Sequence, residues 1–300
     1  MMRISDEVRD AIACNRAVVA LESTLIAHGL PHPTNLEVAR EAEAAVRAQG
    51  AVPATIAILH GVPTVGLSAA ELQMLATAPG VLKASRRDLG VAMATGATAA
   101  TTVSGTLCIA KRVGIRVFAT GGIGGAHRPP AHPWDISADI ADIACSAMLT
   151  VCAGAKSLLD LPRTLELLEA AGVPVLGYRT NTFPEFYTRG GSLPVTARVE
   201  TPLDAAKIAT HQATFGTGTL LCLPLPEEQA IPSEQFRAAL TIAEADAARD
   251  AIGGAQLTPY LLARLAVLTN GATLVANKLL ILKNCALAAE VAVAIAARSE

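Results

Sequence analysis

Apolar runs of strand length alternate with segments of helical period along this chain. Residues 17–24, AVVALEST, read as a buried strand, and residues 34–50, TNLEVAREAEAAVRAQG, as an amphipathic helix closed by Gly50. ATIAIL and PTVGL, residues 54–67 with the turn HGV between them, predict a strand pair. Ser68 and Glu71 then fit a capping box that opens the helix SAAELQMLA. Residues 101–114 predict a helix closed by Gly114, and IRVFAT, residues 115–120, a strand. MLTVCAG, KSLLDLPRTLELLEAAG and VPVLGY predict a strand–helix–strand unit. GTLLCLPLP predicts a further strand, and three helical segments follow it. Helices alternating with buried strands predict an α/β fold with a mostly parallel sheet covered on both faces. No low-complexity linker or internal repeat divides residues 1–300, so one domain is expected.

Open parallel sheets bind their ligands at the carboxyl ends of the strands. Four polar sites stand just after apolar runs: Glu22 after VVAL, Lys83 after GVL, the loop from Gly121 to Asp139 after IRVFAT, and Lys156 after TVCAGA. Lys156 falls where a helix is predicted to begin. The partial positive charge of a helix start, together with desolvation, favours the neutral amine, which is a nucleophile. An exposed surface lysine is the alternative. Glu22 reads as a general acid–base or as a carboxylate capping a nearby helix. Lys83 lies in KASRRD, which reads as an anion grip or as a solvated cluster in which Arg86, Arg87 and Asp88 pair with one another.

TGGIGG does not fit G-x-G-x-x-G and opens into a proline-rich loop, which excludes a dinucleotide site. Its glycines still let backbone N–H groups approach an anion, with His127 and Arg128 adding charge. Asp135 and Asp139 are four apart and share one face if helical. They read as helix-start carboxylates or as a site for a hard cation such as Mg²⁺ or Mn²⁺. No Cys/His cluster has the spacing for zinc.

Composition narrows the function. Of 300 residues, 52% are apolar but only 3% aromatic, which suits a close-packed α/β enzyme. A net charge of −2 without a long basic run argues against nucleic acid polymers and anionic membranes as partners. No apolar run reaches the ~18 residues of a membrane span, and the first residues form a charged amphipathic helix, unlike a signal peptide. Six scattered cysteines without a C-x-x-C pair predict reduced, buried thiols in a cytoplasmic protein.

Taken together, ALESTLIAHGLPHPTN, KASRRDLG, ATGGIGGAHR, DISADI and TVCAGAKSLLDLP resemble the pseudouridine-5′-phosphate glycosidase, or indigoidine-synthase-A-like, family. VPVLGYRTNTFPEFYTR, TPYLLAR and TLVANKLLILKNCALAAEVA extend the resemblance over nearly the whole chain. It implies a three-layer α/β/α sandwich, a homotrimer, and reversible cleavage of pseudouridine 5′-phosphate to uracil and ribose 5-phosphate. It makes Lys156 the nucleophile and Glu22 the proton donor. Lys83, Val103, Ser137, Ala138 and Asp139 become substrate contacts, with His127 and Asn277 as further polar contacts, and Asp135 the ligand of Mn²⁺ or Mg²⁺. Pro129 and Pro130 stand where many members carry glycine. The chemistry expected is an imine between Lys156 and C1′ of a ring-opened ribose. An ordinary metal-dependent N- or O-glycoside hydrolase, a lysine-imine aldolase and a catalytically silent oligomeric scaffold are the competing readings.

Overall fold

The structure is a computed structural model, and it describes residues 2–128, 132, 134–189, 191–253 and 257–298. Its strands are β1 (Arg3–Ile4), β2 (Val18–Leu21), β3 (Val52–Leu59), β4 (Val62–Val65), β5 (Leu82–Ala84) and β6 (Ala99–Thr101). β7 (Val117–Ala119), β8 (Leu149–Cys152), β9 (Val175–Tyr178), β10 (Ala197–Val199) and β11 (Thr219–Cys222) follow. The order is β1-β4-β3-β2-β7-β8-β11-β9-β10, with β6 on β3 and β5 on β6. Every neighbour from β3 through β2 to β10 is parallel, whereas β3 runs antiparallel to β4 and β6. This is the mostly parallel, mixed sheet expected from the pattern.

Period-two alternation distributes the apolar side chains between two cores. On β2, Val18 and Ala20 join one buried cluster, while Val19 and Leu21 join the other. On β11, Leu220 and Cys222 face the first cluster and Leu221 the second. Helices cover both faces and complete the three layers. The helix Thr34–Ala48 places Val38, Ala42 and Val46, one turn apart, into the second core, and Gly50 ends it at φ +83°. The Ser68–Glu71 capping box is present at the helix Ala69–Thr77.

Several expectations need correction. The helix read from residue 101 spans Val103–Arg112, because Thr101 closes β6 and the Thr102 hydroxyl caps the helix. The helix Pro202–Thr214 was not anticipated, although Thr201 and Asp204 form a capping box with proline at the first helical position. An apolar segment of spanning length does exist: the helix Ala272–Ala296 has a mean hydropathy of 1.9 in its most apolar window. That window is 56% buried against the helices Thr34–Ala48 and Pro202–Thr214 and against β2, β7 and β8, which accounts for its composition. The thiols also divide: Cys152, Cys222 and Cys285 are buried, but Cys14 and Cys145 are exposed.

Candidate active site

A cavity of about 460 Å³ opens at the carboxyl ends of β2, β5, β7 and β8. Glu22, Lys83, Lys156, His127, Asp135 and Asp139 all reach its wall, together with Val103, Ser137, Ala138 and Asn277. The ten residues given a site role by the resemblance are thus brought to one place, whereas Arg128, also expected at the anion site, does not line it.

Glu22 is the first residue after β2. Its two carboxylate oxygens accept hydrogen bonds from the hydroxyls of Thr24 and Thr120. Thr120 is the first residue after the neighbouring β7, so the carboxylate is clamped between adjacent strand ends. Lys83 sits in the middle of β5. Its side chain is accessible within the cavity, yet the surrounding protein desolvates the ammonium. That desolvation lowers its pKa, and the nearby Lys156 charge adds to the effect, against the opposing pull of Glu22 and Asp139.

Lys156 lies four residues past β8, not at a helix start. The helix begins at Leu161, where the Asp160 carboxylate caps the Arg163 N–H at 3.1 Å and Pro162 occupies the first turn. Lys156 thus stands outside the first turn of that helix, where the N-terminal partial charge acts. The loop is fixed instead by hydrogen bonds. Lys156 N–H donates to the Ile123 carbonyl at 3.1 Å, and the Leu159 N–H donates to the Lys156 carbonyl at 2.9 Å. The Arg128 guanidinium binds the carbonyls of Ser157 at 3.1 Å and Leu159 at 2.9 Å. Arg128 thus braces the lysine loop, where the sequence suggested an anion contact.

The glycine loop is partly braced within the protein, while the N–H groups of the cavity-lining Gly121, Gly122 and Gly125 have no partner among the described residues and stay open to an anion. The N–H groups of Ile123, Gly124, Ala126 and His127 all donate within the protein, to the Gly154 carbonyl, the Asp139 carboxylate, the Thr164 hydroxyl and the Asp135 carbonyl respectively. Glycine is needed for packing: a Cβ at Gly124 would lie 2.6 Å from Ser137 Cβ and 2.9 Å from Asp139 Oδ2. Burial is the main influence on the His127 imidazole and lowers its pKa. The Asp135 charge opposes this and Lys156 reinforces it. A lowered pKa disfavours the imidazolium charge that the sequence suggested for His127.

Asp135 and Asp139 do not share a helical face. Asp135 belongs to an extended segment in which Ile136 bridges Ala126, whereas Asp139 opens the helix Asp139–Ser146. Asp139 is 6% exposed and accepts from Gly124 N–H at 2.8 Å and Ser104 N–H at 3.1 Å, tying the glycine loop to the start of the helix Val103–Arg112. Val103 is the first residue of that helix, so its N–H has no partner within the helix. Among the described residues no three His, Cys, Asp or Glu side chains group as a metal site. The Asp135 carboxylate lines the cavity and has no side-chain hydrogen bond among the described residues, which suits a hard cation that keeps most of its water. Of KASRRD, Arg87 pairs with Asp88 at 3.2 Å, but Arg86 reaches Asp142 at 2.9 Å. Pro129 and Pro130 lie outside the described residues.

Sequence reasoning missed His28, Thr120 and the Thr258–Pro259 pair, all of which line the cavity. His28 sits in a π-helical turn, Leu25–Gly29, and burial lowers its imidazole pKa, with Lys83 nearby acting in the same direction. Its signal was the histidine in STLIAHG, directly after the Glu22 strand.

Residues 7–294 match the family described as indigoidine synthase A like protein. A pseudouridine-5′-phosphate glycosidase of Chloroflexus aurantiacus is 50% identical over 98% of this chain and 99% of its own length. One from Caldanaerobacter subterraneus subsp. tengcongensis is 49% identical over 97% and 95%. Among solved structures, the prealnumycin C-glycosynthase AlnA in complex with ribulose 5-phosphate aligns with a TM-score of 0.91 and 41% identity, covering 100% of this chain and 98% of the other. An indigoidine synthase A-like protein of Thermotoga maritima aligns with a TM-score of 0.89 and 35% identity over 99% and 97%. With its fold and nearly its whole length matched, the chain belongs to the indigoidine synthase A like family of enzymes.

Proposed function

We propose that this chain reversibly cleaves the C–C glycosidic bond of pseudouridine 5′-phosphate, giving uracil and ribose 5-phosphate. The observation that carries this reading is the convergence of Lys156, Lys83 and Glu22 on one cavity. A carbon leaving group has no lone pair to protonate, so paired carboxylates alone do not suffice, and an electron sink at C1′ is required. A lysine amine provides one. The names of the relatives support the reaction, and the C-glycosynthase relative in complex with ribulose 5-phosphate supports a pentose phosphate ligand.

Glu22, held by Thr24 and Thr120, relays a proton from the Lys83 ammonium to O4′ as the ribose ring opens. The Lys156 amine adds at C1′. Lys83, whose proton is held less firmly than in solvent, exchanges protons with it. The proton that Lys156 loses on adding at C1′ passes through Lys83 to uracil C5; the C1′–C5 bond then breaks and its electrons pass to the uracil ring. The resulting C1′ iminium on Lys156 takes up water and releases ribose 5-phosphate. His127, Ser137 and the Val103 N–H bind and orient the phosphate, and Asn277 orients the base. Asp135 would hold Mn²⁺ or Mg²⁺, which supplies positive charge for anionic oxygens. The homotrimer and the cytoplasmic setting belong to the same proposal, and sedimentation equilibrium of the purified chain tests the first.

Borohydride added to the enzyme with ribose 5-phosphate should reduce the imine and label the peptide containing VCAGAK. Lys156→Arg should give no label and no turnover, because guanidinium stays protonated. A label on another peptide, or turnover without any label, rules out this mechanism.

A further inference from the structure

We propose that Asn284 is a positioning residue for Glu22, acting from the far side of the sheet end through Thr120. Asn284 lies on the helix Ala272–Ala296 and is completely buried. Its amide donates to two consecutive carbonyls, Thr120 O at 2.8 Å and Gly121 O at 3.2 Å. These are the first residues after β7, and the Thr120 hydroxyl in turn donates to Glu22 Oε1. The Thr120 N–H is bound to the Val151 carbonyl at 3.0 Å. The threonine backbone is therefore held on both sides, by β8 and by Asn284, and its hydroxyl has a fixed line to the carboxylate.

Two observations separate this arrangement from ordinary packing. Asn284 Oδ1 is buried without a hydrogen-bond partner among the described residues. A buried acceptor left unpaired is unfavourable, and an apolar side chain of similar volume would avoid it. The amide therefore earns its place through its two donors alone. In addition, the same helix face presses on Gly121. A Cβ there would meet Ile281 Cγ1 at 3.2 Å and Asn277 Oδ1 at 3.4 Å. Asn277, Ile281 and Asn284 are spaced four and three apart, so one helical face registers residues 120–121 to the cavity. Asn284 itself does not line the cavity.

This assignment rests on Glu22 being the proton-transfer group, and a four-enzyme cycle keeps the two claims apart. Asn284→Leu should lower kcat by ~10–100-fold with KM nearly unchanged, because a small misplacement of a catalytic group costs rate more than affinity. Thr120→Val should lower kcat comparably. The double variant should be no slower than the slower single one, since both substitutions break one chain of contacts. Losses that multiply, an unchanged kcat in Asn284→Leu, or an effect confined to KM would overturn the assignment. Melting temperatures correct each rate for folded fraction, so a purely structural loss cannot imitate the cycle. If Asn284→Leu does not fold, Asn284→Ala and Asn284→Ser carry the same cycle. Failure of all three to fold would make the role structural. Glu22→Gln, assayed beside them, tests the premise: normal turnover there would remove Glu22 from the chemistry whatever the cycle gives.

Discussion

Replacing Asp139 by asparagine separates two roles for this carboxylate, a substrate contact or an anchor of the site's framework. The side chains are isosteric, so no cavity forms and no neighbour is displaced. The aspartate oxygens accept two backbone N–H groups, from the half-buried Gly124 at 2.8 Å and the buried Ser104 at 3.1 Å. Asparagine has one acceptor oxygen and one amino group, so one of these N–H groups must face another donor. Losing a hydrogen bond to a charged group costs ~1.5–3 kcal/mol, and leaving its buried N–H unpaired adds ~1–3 kcal/mol. The sum is about 2.5–6 kcal/mol. At roughly 2–4 °C per kcal/mol, the melting temperature should fall by about 5–24 °C. Differential scanning fluorimetry gives the shift, and steady-state assays on the folded fraction give the activity. A shift below ~2 °C with turnover lost would refute the anchor reasoning. Asp139 would then act on substrate, and the two N–H groups would have found other acceptors.

Glu22→Gln should reduce turnover by ~10²–10⁴-fold in both directions while substrate still binds, as read by initial rates and equilibrium dialysis. Lys83→Met should raise the melting temperature at neutral pH, because the folded protein disfavours the Lys83 ammonium. A lysine pKa lowered on folding penalises stability below its folded value, and the penalty is relieved as pH rises from there toward the unfolded value. The gap between wild type and variant should therefore narrow as pH approaches the model-peptide value of 10.5, and a gap constant with pH would contradict it. Chelation should lower activity, with Mn²⁺ restoring it better than Zn²⁺, since Asp135 offers oxygen only. Full turnover in chelated enzyme would remove any metal role for Asp135.

The residues at the cavity were legible because the fold obeys a simple rule: parallel strands end where ligands bind. Glu22, Lys83 and Lys156 each follow or occupy an apolar run, so their convergence could be read without knowing the strand order. What could not be read was how each side chain is held. The start of the helix after β8 was misplaced because AGAKSLLDLP offers both Lys156 and Asp160 as openings, and only the Asp160 carboxylate reaches the N–H groups. Asp139 read as a metal partner because spacing says nothing about which backbone donors fill an oxygen. Thr120 and Asn284 escaped notice because their bonds join positions 98 and 164 residues apart. No apolar run of spanning length was expected, yet the helix Ala272–Ala296 has one despite its asparagines and lysines. Asn284 serves a strand end and Lys278 pairs with Glu41 at 2.8 Å, so neither breaks the helix.

The placement of that helix also bears on how the chain is made. It covers one face of β2, β7 and β8, beside the helix Thr34–Ala48, and supplies Ile281, Cys285, Ala288 and Ala292 to the second core. A ribosome adding ~5–20 residues per second completes β2 and β3 roughly 10–50 s before residue 296 emerges. Through that interval Val19, Leu21, Val38, Ala42 and Val46 lack Ile281, Cys285, Ala288 and Ala292, which share their buried cluster in the finished protein. The nascent chain therefore carries an open apolar sheet face until its last helix docks, and holding chaperones should recognise this half of the protein first. A release factor or stop codon acting before residue 272 should yield an aggregating fragment, because the truncation removes the cover from the sheet along with Asn277 and Asn284.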